Sequence, residues 1–233
     1  MSKPQLFQVD RLDLSFAPKP WPFADERRAE IDAHFAERQR QNPALWNGPV
    51  LLLYRQVVVG GTFRGEYLET DFASFMTWRD LGRPLAGVRD CFGAAAVISS
   101  DGAVLLGEMG RHTANAGKIY FPCGTPDPSD IVDGKVDLAW SVERELKEET
   151  GLDIAEFEIG DGWTTVVDGP LIVQIRTLRS KDDAKTLRAR MLAHLAAEAQ
   201  PELADIHVVR GPHDYVPAML PFVTTFLDAF FAG

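Results

Sequence analysis

Residues 138–152, LAWSVERELKEETGL, restrict the fold more than any other stretch of the chain. Leu138, Val142 and Leu146 recur every fourth position, so at about 100° per residue they line one face of a helix. Asp137 is an N-cap residue type and Gly151 a natural stop, which predicts a helix from about Asp137 to Thr150. Glu145, Glu148 and Glu149 fall within roughly a 100° arc beside the apolar ladder. Like charges at this spacing repel by a few tenths of a kcal/mol per pair. Acids near a helix C-terminus also oppose the macrodipole, by about 0.3–1 kcal/mol each. Lys147 and Glu143 point elsewhere, and Arg144 lies next to Glu148, where it pairs with one carboxylate. Such a helix is anchored in a core on one side and offers three carboxylates on the next. A hard divalent cation with oxygen ligands is the natural counter-charge.

The flanking segments predict a mixed sheet. FGAAAVISS and AVLLGEMG are apolar runs joined by Asp101-Gly102, a hairpin signal. KIYFPCG reads as a further strand ending in a turn, then a loop TPDPSDIVDGK precedes the helix. Beyond Gly151, FEIGDGWTTVVDGPLIVQIRTL reads as strands turned at Asp168-Gly169, KDDAKTLRARMLAHLAAEAQ as a helix, and DIHVV as a short strand. The terminal VPAMLPFVTTFLDAFFAG is interrupted by Pro221 and Asp228 and reads as a packed helix. Before residue 90 the expectation is a small α+β extension. It has a short strand Phe7–Phe16, an amphipathic helix with Phe23, Ile31, Ala33 and Phe35 on its apolar side, VLLLYRQVVVGGTF as one long strand or a strand pair, and a helix near Asp71–Leu81.

RELKEETGL, Arg144 to Leu152, resembles the second half of the Nudix box at every fixed position: Arg144, Glu145, Leu146, Glu148, Glu149, Gly151 and Leu152. The resemblance implies an α/β/α sandwich over residues 91–233, with residues 1–90 as an N-terminal extension. It implies hydrolysis of a nucleoside diphosphate linked to another moiety, with Mg²⁺ or Mn²⁺. It implies that Glu145, Glu148 and Glu149 ligate metal, that the Gly124 backbone carbonyl adds a ligand, and that Arg144 orients a glutamate. The first half of the box departs from the pattern. Pro122-Cys123-Gly124 stands for Pro-Gly-Gly, and Asp130 stands where the family has Glu, with Asp133 or Asp137 as displaced alternatives. The spacing from Asp130 to Arg144 exceeds the pattern by six, which places an insertion at IVDGKV or nearby. NPALWNGP before a strand is similar to the branch that cleaves UDP-sugars, which makes a nucleotide-sugar the first expectation for the substrate. KPWPFA, Lys19–Ala24, looks like a signature of the NADH-cleaving branch but lies upstream of the box, without zinc cysteines, and reads as a rigid turn.

Glu202 is the expected outside carboxylate, as base or extra ligand, with Asp205 second. Arg111, His112 and Lys118 are the expected phosphate or base contacts. Tyr120, His194, His207 and His213 read as structural or exposed. The chain has two cysteines, Cys91 and Cys123, with neither a disulfide framework nor metal spacing. Cys123 lacks a sequential His to activate it, which argues against a thiol nucleophile. A net charge of −10 argues against binding nucleic acid or anionic membranes. No apolar run approaches a membrane span, and the opening MSKPQLFQVDRLDLSF lacks a signal-type apolar core, so a cytoplasmic protein acting on a small nucleotide derivative is expected. Family members are often dimers, so a homodimer is expected, with residues 1–90 as its surface or as a substrate lid. Two alternatives are a non-catalytic nucleotide-binding protein on the same fold, and an isoprenyl diphosphate isomerase, which needs a reactive Cys.

Overall fold

The computed structural model describes residues 3–232; Met1, Ser2 and Gly233, part of the terminal segments read above, lie outside them. In chain order the strands are β1 (Gln5–Val9), β2 (Arg11–Phe16), β3 (Pro49–Val59), β4 (Thr62–Asp71), β5 (Asp90–Ile98), β6 (Val104–Met109) and β7 (Ile119–Tyr120). They continue with β8 (Ile131–Val132), β9 (Lys135–Val136), β10 (Glu158–Ile159), β11 (Trp163–Asp168), β12 (Leu171–Arg179) and β13 (Leu203–Val209). The helices are α1 (Pro22–Glu26), α2 (Arg28–Gln41), α3 (Phe72–Asp80), α4 (Leu138–Thr150), α5 (Ala184–Ala197) and α6 (Pro221–Ala232).

The larger sheet runs β1-β11-β12-β5-β6-β13, with β10 added to β12 and β7 to β6. It is mixed, because β12 and β5 pair in parallel while the hairpins on either side are antiparallel. Neighbouring residues of a strand face opposite sides. At Gly93 a Cβ would lie 2.7 Å from Val142 Cγ2 and 2.9 Å from Leu138 O, so α4 covers that face. Phe92, one residue earlier, meets Phe222 of α6 edge to face at 6.0 Å, so α6 covers the other. α5 packs beside α4. The result is an α/β/α sandwich, as expected, with β1 from the N-terminal region on its sheet edge, and the Gly93 site explains why α4 can approach so closely.

The smaller sheet runs β3-β4-β2-β9-β8. Its face choice follows period two. Leu51 and Leu53 join the main core, while Val50 and Leu52 join a second cluster with Ile31 of α2 and Met76 and Trp78 of α3. VLLLYRQVVVGGTF is therefore a strand pair, turned at Gly60 and Gly61, whose φ values of +54° and +69° need glycine.

Three expectations are corrected. Phe7–Phe16 is two strands in different sheets: β1 is the edge of the large sheet and β2 lies beside β4 in the small one. The break falls at Asp10, whose amide donates to Gly61 O at 2.7 Å and turns the chain between layers. The amphipathic helix is α1 and α2, divided at Arg27, and Ala33 is exposed while Phe23, Ile31 and Phe35 are buried. KIYFPCG keeps only Ile119–Tyr120 as strand, because the Pro122 carbonyl turns to accept from Ala95 N of β5. Among the described residues no helix is long and apolar enough to cross a membrane.

Candidate active site

The helix α4 forms where its sequence dictates. The Asp137 carboxylate accepts from Ala139 N and Trp140 N, each at 3.0 Å, and Gly151 ends it at φ +71°. Leu138, Val142 and Leu146 are fully buried. That anchoring carries Glu145 and Glu149 beneath the Pro122-Cys123-Gly124 turn, where both are buried. Cys123 N donates to Glu149 Oε2 at 3.2 Å, while Glu149 Oε1 is buried with no partner. Gly124 lies over Glu145: a Cβ there would stand 2.1 Å from Glu145 Oε1. Glu148 lies on the same helix edge but is exposed, its side chain 62% accessible.

Arg144 holds this set from the side. Its Nη1 lies 2.8 Å from Glu145 Oε1 and 3.2 Å from Glu148 Oε2, and its Nη2 donates to both Asp130 oxygens at 3.3 Å. Of the three acids proposed for the displaced box position, Asp130 is thus the one that meets Arg144. Asp137 caps α4, and Asp133 sits at a turn with φ +49°. The six inserted residues, Ile131–Val136, form the β8–β9 hairpin. That hairpin adds to the small sheet: Lys135 pairs with Ser15, Phe16 N donates to Gly134 O at 3.0 Å, and Lys135 Nζ reaches Asp13 at 2.7 Å. The insertion loops outward to the N-terminal region and leaves Asp130 in reach of the helix.

Burial and mutual repulsion strain these carboxyls electrostatically. Desolvation first, then the charges of Glu202, Glu148 and Asp130, push Glu145 up to about 7 against the opposing Arg144 guanidinium. Glu149 is pushed well above the usual carboxylate range by burial, then by Glu145 and Glu202. Two buried acids that resist ionisation side by side, one with an orphaned oxygen, form an all-oxygen donor set suited to a hard divalent cation. Among the described residues no three metal-ligating side chains already converge on one point. Arg144 stands as the counter-cation between Glu145 and Glu148.

A cavity of about 570 Å³ opens beside this set, with Cys123, Gly124 and Glu202 on its wall. Glu202 precedes β13, and its backbone oxygen accepts from Gly110 N at 2.7 Å, which binds it to the loop bearing His112. Burial, with Glu148 and Glu198, raises Glu202 above its ordinary value while His112 opposes. His112 lines the cavity; Arg111 and Lys118 are exposed and do not. Asp205 is engaged by Arg188 at 2.8 Å and does not reach the cavity.

Much of the remaining wall comes from the segments 44–50 and 72–83, which sequence reasoning missed. Arg79 and Arg83 line it, Arg79 Nη1 donating to Asn115 Oδ1 at 3.0 Å and Arg83 Nη2 to Asp90 Oδ2 at 3.2 Å. Asp90 is buried, and its Oδ1 has no partner. One signal was readable: Arg83, between Gly82 and Pro84, adopts φ +53°, a conformation non-glycine residues hold only at cost, and Gly-X-Pro is a turn. Tyr120 is packed, its hydroxyl accepting from Asn115 Nδ2. His194, His207 and His213 pair with Glu198, Glu108 and Asp214. Both thiols are buried, and burial pushes Cys91 up to about 12 and Cys123 well above the usual thiol value, which opposes ionisation of either.

No family model matches the chain, and no curated protein sequence does either. Several of the solved structures similar to it are Nudix hydrolases. One is the Nudix hydrolase RenU from M. Smegmatis, at 12% identity over 61% of this chain and 82% of that one, with a TM-score of 0.38. The MutT protein from Methanosarcina mazei Go1 matches at 18% identity over 62% of this chain and 95% of that one, with a TM-score of 0.40. A bifunctional NMN adenylyltransferase/ADP ribose pyrophosphatase from Francisella tularensis, complexed with AMP and Mn ion, matches at 14% identity over 68% of this chain and 45% of that one, with a TM-score of 0.43.

Proposed function

We propose that this chain is a Nudix pyrophosphohydrolase that uses Mg²⁺ or Mn²⁺ to cleave a nucleoside diphosphate linked to another moiety, with a sugar as that moiety. The observation that carries the reading is the buried Glu145–Glu149 pair beneath Gly124, with Glu149 Oε1 unpartnered, next to the Cys123-Gly124 turn that lines a ligand-sized cavity. Glu145, Glu149 and Glu148 would hold the cation, with the Gly124 carbonyl that the box resemblance adds. When bound, a divalent cation screens phosphate charge and acidifies a coordinated water. Arg144 fixes the ligand carboxylates, and Asp130 fixes Arg144. Glu202, on the cavity wall, accepts the proton of the attacking water. Water adds at one phosphorus, the bridging P–O bond breaks, and two phosphate monoesters leave: the nucleoside monophosphate and the phosphorylated partner.

The sugar assignment is supported by polar side chains on the cavity wall. Arg83 and Asn115 line the cavity and carry N–H donors suited to hydroxyl groups. A cytosolic setting and a homodimer belong to the same proposal; one monomeric species across concentration in gel filtration with light scattering would dismiss the dimer.

A non-catalytic nucleotide-binding role has one observation in its favour, the guanidinium of Arg144 seated between Glu145 and Glu148. Product release from UDP-sugars, ADP-ribose, NADH, CoA, dinucleoside polyphosphates and nucleoside triphosphates separates the two. Cleavage of one class with Mg²⁺ or Mn²⁺, abolished by EDTA, supports the hydrolase and names its substrate. Nucleotide binding with no turnover of any of them supports the alternative.

A further inference from the structure

We propose that Trp46 is the platform on which the planar base of the nucleotide stacks, so that the segment 42–50, rather than the carboxylate helix, receives the nucleoside half of the substrate. The inference deepens the nucleoside-diphosphate reading above and rests on it for the placement of the phosphates.

Trp46 lines the cavity and is 74% exposed. A lone exposed aromatic is ordinary on a protein surface. This one is built into place. At Gly48 a Cβ would fall 2.1 Å from indole Cζ3 and 2.4 Å from Cη2, so the ring rests on glycine backbone and keeps the rest of its surface free. Its loop is tied at both ends. Asn42 Nδ2 donates to His112 O at 2.7 Å, Gln39 Nε2 to Leu45 O at 3.0 Å, and Phe72 N to Gly48 O at 2.8 Å. Asn47 Oδ1 accepts from Ala73 N at 2.8 Å. A fixed aromatic surface gives up little entropy when a flat ring settles on it.

The surroundings select a base over a sugar. Leu45, Pro49, Val50, Phe72 and Phe75 share this wall and offer no side-chain hydrogen-bonding group. A hydroxylated ring buried there would lose water without replacement. A nucleobase presents a π-face that stacks without directional partners, whichever base it is. The hydrogen-bonding side chains of the lining, Arg83 and Asn115 among them, come from other segments of the chain than the one that carries Trp46.

The test uses tryptophan emission and calorimetry on the full chain in EDTA, with UMP and glucose 1-phosphate as probes. Trp21, Trp78 and Trp163 are buried, and Trp140, 45% exposed, does not line the cavity. UMP is expected to quench the wild type and Trp140→Phe alike, and the quench is expected to vanish in Trp46→Phe while binding persists. Trp46→Ala is expected to weaken UMP about tenfold or more, the scale of one lost base–aromatic stack. Gly48→Ala, which pushes the indole off its seat, is expected to weaken UMP as well. Glucose 1-phosphate is expected to bind Trp46→Ala as it binds the wild type. The platform is overturned if wild type fails to bind millimolar UMP, if Trp46→Ala binds it unchanged, or if only glucose 1-phosphate loses affinity. Metal-dependent hydrolysis with unchanged UMP affinity in Trp46→Ala removes the platform and keeps the hydrolase. Trp46-dependent quenching without hydrolysis does the reverse.

Discussion

Arg144 Nη2 donates to both carboxylate oxygens of Asp130 at 3.3 Å, across a six-residue hairpin that the box pattern lacks. Asp130 is fully buried, so this contact both positions Arg144 and satisfies a desolvated charge. Asp130→Ala is expected to cost about 1–3 kcal/mol of stability, the range for stranding a buried hydrogen-bonding group. It is expected to lower kcat more than it raises KM, because Arg144 is then free to swing away from Glu145. Asp130→Asn, which keeps one acceptor, should recover part of both. Urea midpoints with steady-state kinetics check this, and a pure KM effect would contradict the positioning role.

Gly124→Ala places a methyl group where Glu145 Oε1 now lies, 2.1 Å from the new carbon. The carboxylate is the mobile end of a side chain, so the fold should lose less than about 1 kcal/mol. Displacing a ligand by an ångström costs about a hundredfold in rate. Thermal melts and kcat of this one variant check both halves; equal loss of stability and rate would contradict the account.

Much of this was legible because it is local. Asp137 and Gly151 bound α4 because a cap and a left-handed stop are chosen by neighbouring residues. Asp101-Gly102 and Asp168-Gly169 turn their hairpins because Gly102 and Gly169 hold φ values of +79° and +59°. The insertion was legible by counting. Its destination was not, since Lys135 meets Asp13 across 122 positions and no local pattern encodes that pairing. The split of residues 7–16 was hidden for the same reason: both halves read as strand, and the break is imposed by Gly61 from another hairpin. Helix periodicity grouped Glu145, Glu148 and Glu149 but could not say which edge slides under the Gly124 turn. Arg79, Arg83 and Trp46 escaped because they belong to the cavity only after the small sheet packs against the large one.

Stability should depend on pH in a direction opposite to that of an ordinary paired acid. An unfolded glutamate titrates near 4.5, whereas Glu145 holds its proton to about 7 in the folded, metal-free chain. Across that window the folded state binds more protons, so stability falls as pH rises, by roughly 3 kcal/mol in total from this group. Mg²⁺ needs the ionised form, so its stabilising effect should grow over the same window. Melting curves at pH 5.5 and 8, with EDTA and with Mg²⁺, check this; an equal Mg²⁺ shift at both pH values would contradict it.

Both thiols are buried, and burial pushes them up, Cys91 to about 12. At pH 8 a thiol-reactive chromogen should label neither within minutes, and both after denaturation. Fast labelling of Cys123 in the folded chain would reopen thiol chemistry at the turn.

The central claim is that Glu149 serves a divalent cation in hydrolysis. Hydrolysis of the best substrate should be followed for wild type and Glu149→Gln, with Mg²⁺ and with EDTA. The account predicts turnover only for wild type with Mg²⁺, with a loss of at least about a hundredfold in the variant, as several kcal/mol of charge stabilisation disappears. Glu149→Gln turning over at the wild-type rate, or wild type turning over in EDTA, would contradict it.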